Sequence, residues 1–462
     1  MYNFTLGEIA RTIQAELLGG NARIEPRGAS IDTRRLEPGQ LFFALKGERT
    51  DGHRFLEQAY HSGAVGAVVS HLPSEFSRPD FPLLLVDDAE TALQQLASAQ
   101  RKIMKGPVIA ITGSTGKTTT KDILAAILLQ KGAVLSTEGN YNNHLGLPLT
   151  LLALEQKHWA VIVEMGMGGL GEIDLLAEIA EPTHGLVTNI GHAHQEILGS
   201  QAKIAQAKAE LFSHIPPEGG MVLNKQDQAI LKTWAADLSC PIQWFDYSPP
   251  ADLWVSAVEA NKEDYGYTFQ VNTESETASM AINIPGKHNI VNSLAAMAIA
   301  RQLGLTWEEI RSGLSEVRLT SMRLEITQSS RRKITLINDA YNANPTSMAS
   351  SLEVLDTIAG SRRKIAILGD MYELGASWAE YHREVGKKVK SIKPAYLITV
   401  GRLAGEIVTG AIQAGFPKAK TGSFKDNQAV LAFIEDIVMP GDVILVKGSR
   451  GVKMEEIVKG LS

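Results

Sequence analysis

The chain has 462 residues, too many for one hydrophobic core at roughly 100–200 residues per domain, so two to four domains are expected. Forty-five Lys and Arg against 51 Asp and Glu give a formal charge of −6, and with 44% hydrophobic residues the composition is that of an ordinary globular protein. The longest basic cluster, Arg331-Arg332-Lys333, is too short for the cationic stripe of a nucleic-acid binder, so no nucleic-acid partner is expected.

The opening text MYNFTLGEIARTI has no basic segment followed by an apolar core, and no apolar run approaches the ~18 residues that span a bilayer. No stable membrane insertion is expected, and the protein should stay in the cytoplasm where it is made. The lone Cys240, in LSCPIQW, suits a reducing compartment and reads as a structural thiol.

Residues 1 to about 105 read as a small α/β unit. Leu41 to Leu45, Ala64 to Val69 and Leu83 to Val86 are short apolar runs fit for buried strands, with a helix around Arg54 to His61 and Gly-rich turns between. From Pro107 a longer α/β rhythm begins, whose strands end in polar residues. Val108 to Ile111 runs into Thr112-Gly113, Trp159 to Val163 into Glu164, Leu186-Val187 into Thr188-Asn189, and Met221 to Leu223 into Asn224. After about Thr320 the rhythm resumes: Ile334 to Ile337 into Asn338-Asp339, Ile365 to Leu368 into Gly369-Asp370, Val443 to Val446 into Lys447-Gly448. Alternating strands and helices imply mostly parallel sheets, which bind ligands beyond the carboxyl ends of their strands.

The strongest local signal is Ile111-Thr112-Gly113-Ser114-Thr115-Gly116-Lys117-Thr118-Thr119, between a strand and a helix whose Ile123, Leu124, Ile127 and Leu128 fall at helical spacing. Glycines let backbone amides close on phosphate oxygens, Lys117 reaches the outer phosphates and the Thr118 hydroxyl suits Mg²⁺. The first glycine of the full phosphate-loop pattern is replaced by Ile111. Glu164, ending an apolar strand, suits the same cation, although a solvated strand-end acid would look alike. His192 and His194, in Asn189-Ile190-Gly191-His192-Ala193-His194, suit metal, phosphate or a structural hydrogen bond.

Helical spacing places Lys208 on one face with Ile204 and Leu211. A snorkelling lysine would fit; so would a buried amine that burial makes neutral and reactive. Asn224-Lys225-Gln226-Asp227 spells the guanine-reading N-K-x-D, raising the rival of a non-enzymatic GTP switch. The required D-x-x-G is missing, because Asp122 and Asp174 are followed at the third position by Ala125 and Ala177. The motif therefore reads as a strand-end turn. Pro285-Gly286-Lys287-His288-Asn289-Ile290-Val291-Asn292 opens an alanine-rich helix, with Asn289 a ligand contact or simply a cap.

In this order, T-G-x-x-G-K-T, a strand-end Glu, N-I-G-x-A-H, A-K-x-E-L-F and P-G-K-H-N-x-x-N resemble the Mur ligases, ATP-dependent amide ligases of peptidoglycan precursor synthesis. Asn338 to Ser347, Leu368-Gly369-Asp370-Met371-Tyr372-Glu373-Leu374-Gly375 and Val446-Lys447-Gly448-Ser449-Arg450 are similar to the branch of that family that adds D-alanyl-D-alanine to UDP-MurNAc-tripeptide. The likeness, with Ile31 to Arg34 and Gly47 to His53, spans essentially the whole chain.

The resemblance implies an α/β protein of three domains: a small N-terminal UDP-sugar domain (1–105), a central phosphate-loop ATPase domain with a mostly parallel sheet (106–318), and a C-terminal Rossmann-like domain for the incoming D-Ala-D-Ala (319–462). It implies that Gly113, Ser114, Thr115, Gly116, Lys117, Thr118 and Thr119 hold the ATP phosphates, and that Thr118, Glu164 and His194 serve Mg²⁺. Lys208 falls where the family carries a CO₂-derived carbamate that supports Mg²⁺, so Lys117, Lys208 and His194 are the implied catalytic residues. Asn289 and Asn292 would approach the adenine, with Arg323 and Asp339 reaching the nucleotide as the domains close. The UDP-muramoyl substrate would meet Ser30, Thr33, Arg34, Asp51, Gly52, His53, Asn140, Asn142, Asn143 and His144. Tyr341, Asn342, Asn344, Asp370, Lys447, Ser449 and Arg450 would line the peptide or D-Ala-D-Ala pocket. Arg323 stands in Thr320-Ser321-Met322-Arg323-Leu324 without the Gly expected immediately before it. A monomer is expected. A folylpolyglutamate-synthase-like ligase is the alternative enzyme.

Overall fold

The structure, a computed structural model, describes residues 4–47, 50–72, 76, 78–191, 195–261 and 265–462. In the first unit β1 (Glu16–Leu18), β2 (Ala29–Ser30), β3 (Leu41–Phe43), β4 (Gly66–Val69) and β5 (Leu83–Leu85) form one sheet in the order β1-β5-β4-β3-β2, parallel except at β1. The helix Ala89–Ile103 closes one face. Its cap is Asp88, which accepts the Thr91 amide at 2.7 Å, and it buries Leu93, Leu96 and Ala97, each buried leucine contributing about 1.5–3 kcal/mol. That core continues without a break into Leu147, Leu151 and Val161 of the next unit, so the two share one apolar interior.

The central sheet contains β6 (Val108–Thr112), β7 (Ala133–Ser136), β8 (His158–Glu164), β9 (His184–Val187), β10 (Gly220–Asn224) and β11 (Ile242–Phe245), all parallel, in the order β11-β10-β9-β6-β8-β7. β6 is buried along its whole length, as a strand covered on both faces must be. An antiparallel sheet of β12 (Trp254–Ala260), β13 (Tyr267–Asn272) and β14 (Thr277–Ile282) packs its Phe269 and Met280 against the same unit. The helix His288–Gln302 then lies on Lys117–Leu128, the helix that follows the phosphate loop.

The third sheet holds β15 (Glu325–Ser329), β16 (Ile334–Asp339), β17 (Lys364–Gly369), β18 (Tyr396–Val400), β19 (Thr421–Phe424) and β20 (Val443–Lys447), in the order β15-β16-β20-β17-β18-β19 with only β15 antiparallel. Separate apolar clusters cover its two faces, the doubly wound arrangement. The α/β reading with mostly parallel sheets is borne out. Asp122, on the helix after the phosphate loop, accepts the Thr320 amide at 2.7 Å and its hydroxyl at 3.1 Å, fastening that helix to the segment entering the third unit.

Candidate active site

β6 delivers the loop Gly113 to Gly116 to the foot of the helix Lys117–Leu128. Gly116 caps it at φ +79°, and a Cβ there would lie 2.5 Å from Asn292 Oδ1; at Gly113 it would lie 1.9 Å from Thr188 Oγ1. Only glycine leaves the backbone amides open here. The loop is braced from β9: Asn189 Oδ1 accepts the Thr115 amide at 3.0 Å, Asn189 Nδ2 donates to Thr115 Oγ1 at 2.8 Å, and Gly191 N donates to Ser114 Oγ at 2.8 Å. Lys117 Nζ donates to the Gly113 carbonyl at 2.8 Å, spanning the loop. Burial holds its ammonium below the ordinary lysine range, with Glu164 opposing the shift.

β8 ends at Glu164, whose two oxygens accept from Thr118 Oγ1 at 2.6 Å and Asn142 Nδ2 at 2.8 Å. A loop hydroxyl, a buried carboxylate and an amide thus converge beside the phosphate cradle, a donor set of hard oxygens fit for Mg²⁺. His194 lies outside the described residues, as does His192. Lys208, on the helix Gln201–Ala209, is 1% exposed between buried Ile204 and Leu211. Desolvation pushes its amine well below the usual lysine value, and the Lys117 charge pushes the same way. The interrupted apolar face is therefore a buried lysine rather than a snorkelling one.

The cavity above the loop, about 810 Å³, is walled by the central and third units. Ser114 to Thr119, Asn292, Arg323 and Asp339 line it. Gly113 gives its carbonyl to Lys117 from outside this lining. Asn289 is 1% exposed, donates to the Pro285 carbonyl at 2.7 Å and accepts Asn292 Nδ2 at 2.9 Å, so it aims Asn292 from beneath. Neighbouring His288 lines the cavity, and burial depresses its imidazole to about 4, leaving it neutral at pH 7.

From the third unit, Arg323 stacks its guanidinium 4.2 Å from the Tyr341 ring centre, and its buried Nε has no hydrogen-bond partner among the described residues. Arg323 lines the same cavity as the phosphate loop, a cation suited to an anionic nucleotide. Met322 and Leu324 flank it at φ +63° and +53°, so the glycine absent from the sequence is replaced by a methionine held in the left-handed region. Asp339 Oδ2 accepts from Lys447 Nζ at 2.6 Å and Ser351 Oγ at 2.6 Å, making the expected nucleotide residue and the expected peptide residue one unit. Lys447 also donates to the Asn342 carbonyl at 3.0 Å; Asn344 caps the helix Pro345–Ala359, accepting the Ser347 amide at 2.8 Å.

The other expected residues scatter. Asp370 gives both oxygens to the amides of Arg402, Leu403 and Ala404 at 2.7–3.0 Å, and Ser449 Oγ accepts the Tyr372 amide at 3.0 Å, so both shape loops behind the cavity wall. Arg450 is exposed and pairs with Glu455 at 3.1 Å. Asn142 and Asn143 line the cavity, whereas Asn140 gives its carbonyl to the Asn142 amide and His144 faces Glu90 at 3.7 Å.

In the first unit Arg34 pairs with Asp32 at 2.7 Å, Ser30 Oγ accepts the Asp32 amide at 3.2 Å, and Thr33 lies in the same turn. The nearby Arg35 donates to Tyr141 Oη at 2.8 Å, meeting the Asn140–Asn143 loop. Gly52 fits where a Cβ would sit 2.7 Å from the Leu45 backbone. His53 Nδ1 lies 2.6 Å from Asp51 Oδ1 while its Nε2 accepts the Ser70 amide at 2.9 Å. Asp51, His53 and His71 cluster within ligand range of one another, but both nitrogens of His53 are already engaged, leaving no lone pair for a metal. None of Ser30, Thr33, Arg34, Asp51, Gly52 and His53 lines the nucleotide cavity.

Thr188, Asn189, Asp227 and Glu373, all at loops following strands, also line the cavity; they are named above within strand ends and motifs, without a site role. Asn224 Oδ1 accepts the Gln226 amide at 3.0 Å, closing the strand-end turn, but Asp227 also reaches the cavity and accepts the Ile190 amide at 2.8 Å. Burial raises its carboxyl to about 6.

Family models match along most of the chain: "Mur ligase family, catalytic domain" over residues 26–101, "Mur ligase middle domain" over 111–300 and "Mur ligase, glutamate ligase domain" over 322–450. The chain belongs to the Mur ligase family. Like other Mur ligases it couples amide-bond formation to the cleavage of ATP to ADP. The UDP-N-acetylmuramoyl-tripeptide–D-alanyl-D-alanine ligase of Bacillus subtilis (strain 168) is 39% identical to this Mur ligase over 461 residues, 98% of each chain. A crystal structure of MurF from Acinetobacter baumannii superposes with a TM-score of 0.86 at 31% identity, covering 99% of this chain and 98% of that one. The MurF ligase of Thermotoga maritima, solved in complex with ADP, gives 0.79 at 25% identity over 94% and 97% of the two chains.

Proposed function

We propose that this Mur ligase joins D-alanyl-D-alanine to UDP-MurNAc-tripeptide through an acyl phosphate, releasing ADP and phosphate. The observation that carries the reading is one cavity in which the phosphate loop and the Thr118–Glu164–Asn142 cluster of the central unit face Arg323, Asp339 and Lys447 of the third. The names of the full-length relatives support the substrate pair.

Transfer of the outer phosphoryl group to the peptide carboxylate spreads charge over its oxygens. Lys117 and the loop amides supply positioning and electrostatic stabilisation, and Arg323 adds a cation from the third unit. Thr118 and Glu164, with His194, would hold Mg²⁺, which neutralises phosphate charge when bound. Asn292, aimed by Asn289, and neutral His288 form the wall on the side of the helix His288–Gln302. In this reading residues 1–105 hold the UDP-sugar through Ser30 to His53 and the loop around Asn140 to His144, 106–318 hold ATP, and 319–462 present the amine substrate.

Lys208 is read as the site of a CO₂-derived carbamate. A neutral buried amine attacks CO₂, forming an N–C bond and losing one proton, and the product is a carboxylate able to support the cation. The buried, cation-flanked amine supports this. Activity should fall in buffer stripped of CO₂ and return with bicarbonate; full activity in stripped buffer would count against it. No helix among the described residues is long and apolar enough to cross a membrane. A cytoplasmic monomer completes the reading.

Phosphate release from ATP that requires both UDP-MurNAc-tripeptide and D-Ala-D-Ala is the decisive measurement. Release with a folate and glutamate instead would favour the folylpolyglutamate-synthase-like alternative, and GTP binding without turnover the switch.

A further inference from the structure

Asn224-Lys225-Gln226-Asp227 closes the carboxyl end of β10, two strands away from the phosphate loop, with β9 lying between β10 and β6. Asp227 stands at the start of the helix Gln228–Ala236, where an aspartate ordinarily accepts an amide of the helix's own first turn. It makes no such cap. Its Oδ2 instead accepts the Ile190 amide at 2.8 Å, in the loop that follows β9.

That loop is held on both sides. Toward β10, Asn224 Nδ2 donates to the Thr188 carbonyl at 3.1 Å, and Gln201 Nε2, from the first turn of the helix that carries Lys208, donates to the Ile190 carbonyl at 2.9 Å. Ile190, 4% exposed, thus has both backbone groups gripped by side chains from two different elements. Toward β6 the same loop meets the phosphate loop. The Ser114 amide donates to the Asn189 carbonyl at 3.0 Å, Thr188 Oγ1 donates to the Thr115 carbonyl at 2.5 Å, and Asn189 and Gly191, the neighbours of Ile190, bond to Thr115 and Ser114. Fixing Ile190 therefore fixes the two residues that set the register of the phosphate-loop amides.

We propose that Asp227 and Gln201 are positioning residues for nucleotide binding: by gripping the two backbone groups of Ile190 they hold the 189–191 loop, and through it the amides of Ser114 and Thr115, in the arrangement that receives phosphate. The assignment rests on the reading of this cavity as the nucleotide site. It gives the N-K-x-D run a task unrelated to guanine.

Charge and position pull in opposite directions here, which makes the sign of the effect decisive. Asp227 lines the cavity, so deleting its negative charge would by electrostatics alone tighten a phosphate ligand, whereas a loop released from its clamp would loosen one. Calorimetric titration of the full chain with Mg-ADP, as wild type, Asp227→Ala, Asp227→Asn and Gln201→Met, separates the two. Asp227→Ala should bind about tenfold more weakly, because the buried Ile190 amide loses an acceptor, while KM for UDP-MurNAc-tripeptide and for D-Ala-D-Ala holds. Asp227→Asn, neutral but still offering an oxygen, should bind as the wild type does or more tightly. Gln201→Met should weaken binding in the same direction; Gln201 is exposed at a helix start, so this variant decides the matter if Asp227→Ala fails to fold. Unchanged or tighter binding in the variant that decides overturns the positioning role, as does an Asp227→Asn as weak as Asp227→Ala, or a KM for either peptide substrate that rises in step. If the wild type binds no Mg-ADP, the nucleotide reading of the cavity itself fails.

Discussion

The ammonium of Lys447 lies 2.6 Å from the Asp339 carboxylate, joining the carboxyl ends of neighbouring β20 and β16 at the cavity wall. Their side chains are 3% and 12% exposed, so neither charge has water to fall back on. Lys447→Met should destabilise the protein by about 3 kcal/mol in chemical denaturation, because it strands a buried carboxylate. Adding Asp339→Asn should recover part of that loss, the non-additivity expected of residues in contact.

Gly113→Ala should abolish nucleotide binding more completely than Gly116→Ala. Its added methyl would meet Thr188 Oγ1 at 1.9 Å on a braced strand end, whereas that of Gly116 would meet the Asn292 side chain at 2.5 Å. Calorimetric titration with Mg-ATP should show affinity lower by about 10²-fold or more for Gly113→Ala, a loss of roughly 3 kcal/mol.

Glu164→Gln removes a negative charge that Thr118 and Asn142 orient. The Mg²⁺ concentration for half-maximal phosphate release should rise about tenfold, equivalent to ~1.4 kcal/mol, while the melting temperature changes little. An unchanged Mg²⁺ requirement would remove Glu164 from the cation site.

Met322→Gly relieves a left-handed residue. The strain removed, about 1–2 kcal/mol, exceeds the conformational entropy that glycine adds to the unfolded chain, so stability should rise by about 0.5–1 kcal/mol in a urea titration. Loss of stability would mean that the Met322 sulfur contact with Arg450, at 3.4 Å, outweighs the strain.

Asp227 provides the pH dependence. Its folded value of about 6 stands above its ordinary 3.8, so between the two the folded state holds a proton that the unfolded state has released. The unfolded state then binds fewer protons, and this residue's contribution to stability falls as pH rises through that window. Asp227→Asn should flatten that fall, as read from urea unfolding at about pH 4.5 and about pH 6.5.

What the sequence disclosed was what is contiguous along it. The phosphate loop is a run of neighbours whose chemistry demands those residue types, and Lys208 betrayed itself by interrupting a helical apolar face. Asn189 and Thr188 were illegible as loop braces, because their role exists only once β9 lies beside β6. The Asp370 contacts were illegible for the same reason. They exist only once β18 is set beside β17 and brings the amides of residues 402–404 to both of its oxygens. Glu373 was in view as part of a motif, but its place in the cavity lining depends on how a turn of the third unit lies against the helix Gln195–Leu198.

Asp122 belongs to the helix that begins at the phosphate loop, yet its carboxylate grips Thr320 at the entrance to the third unit. The helix that begins at the phosphate loop and the segment that begins the third unit are thus tied through one side chain, so a change at Asp122 would be felt at both ends of that connection at once.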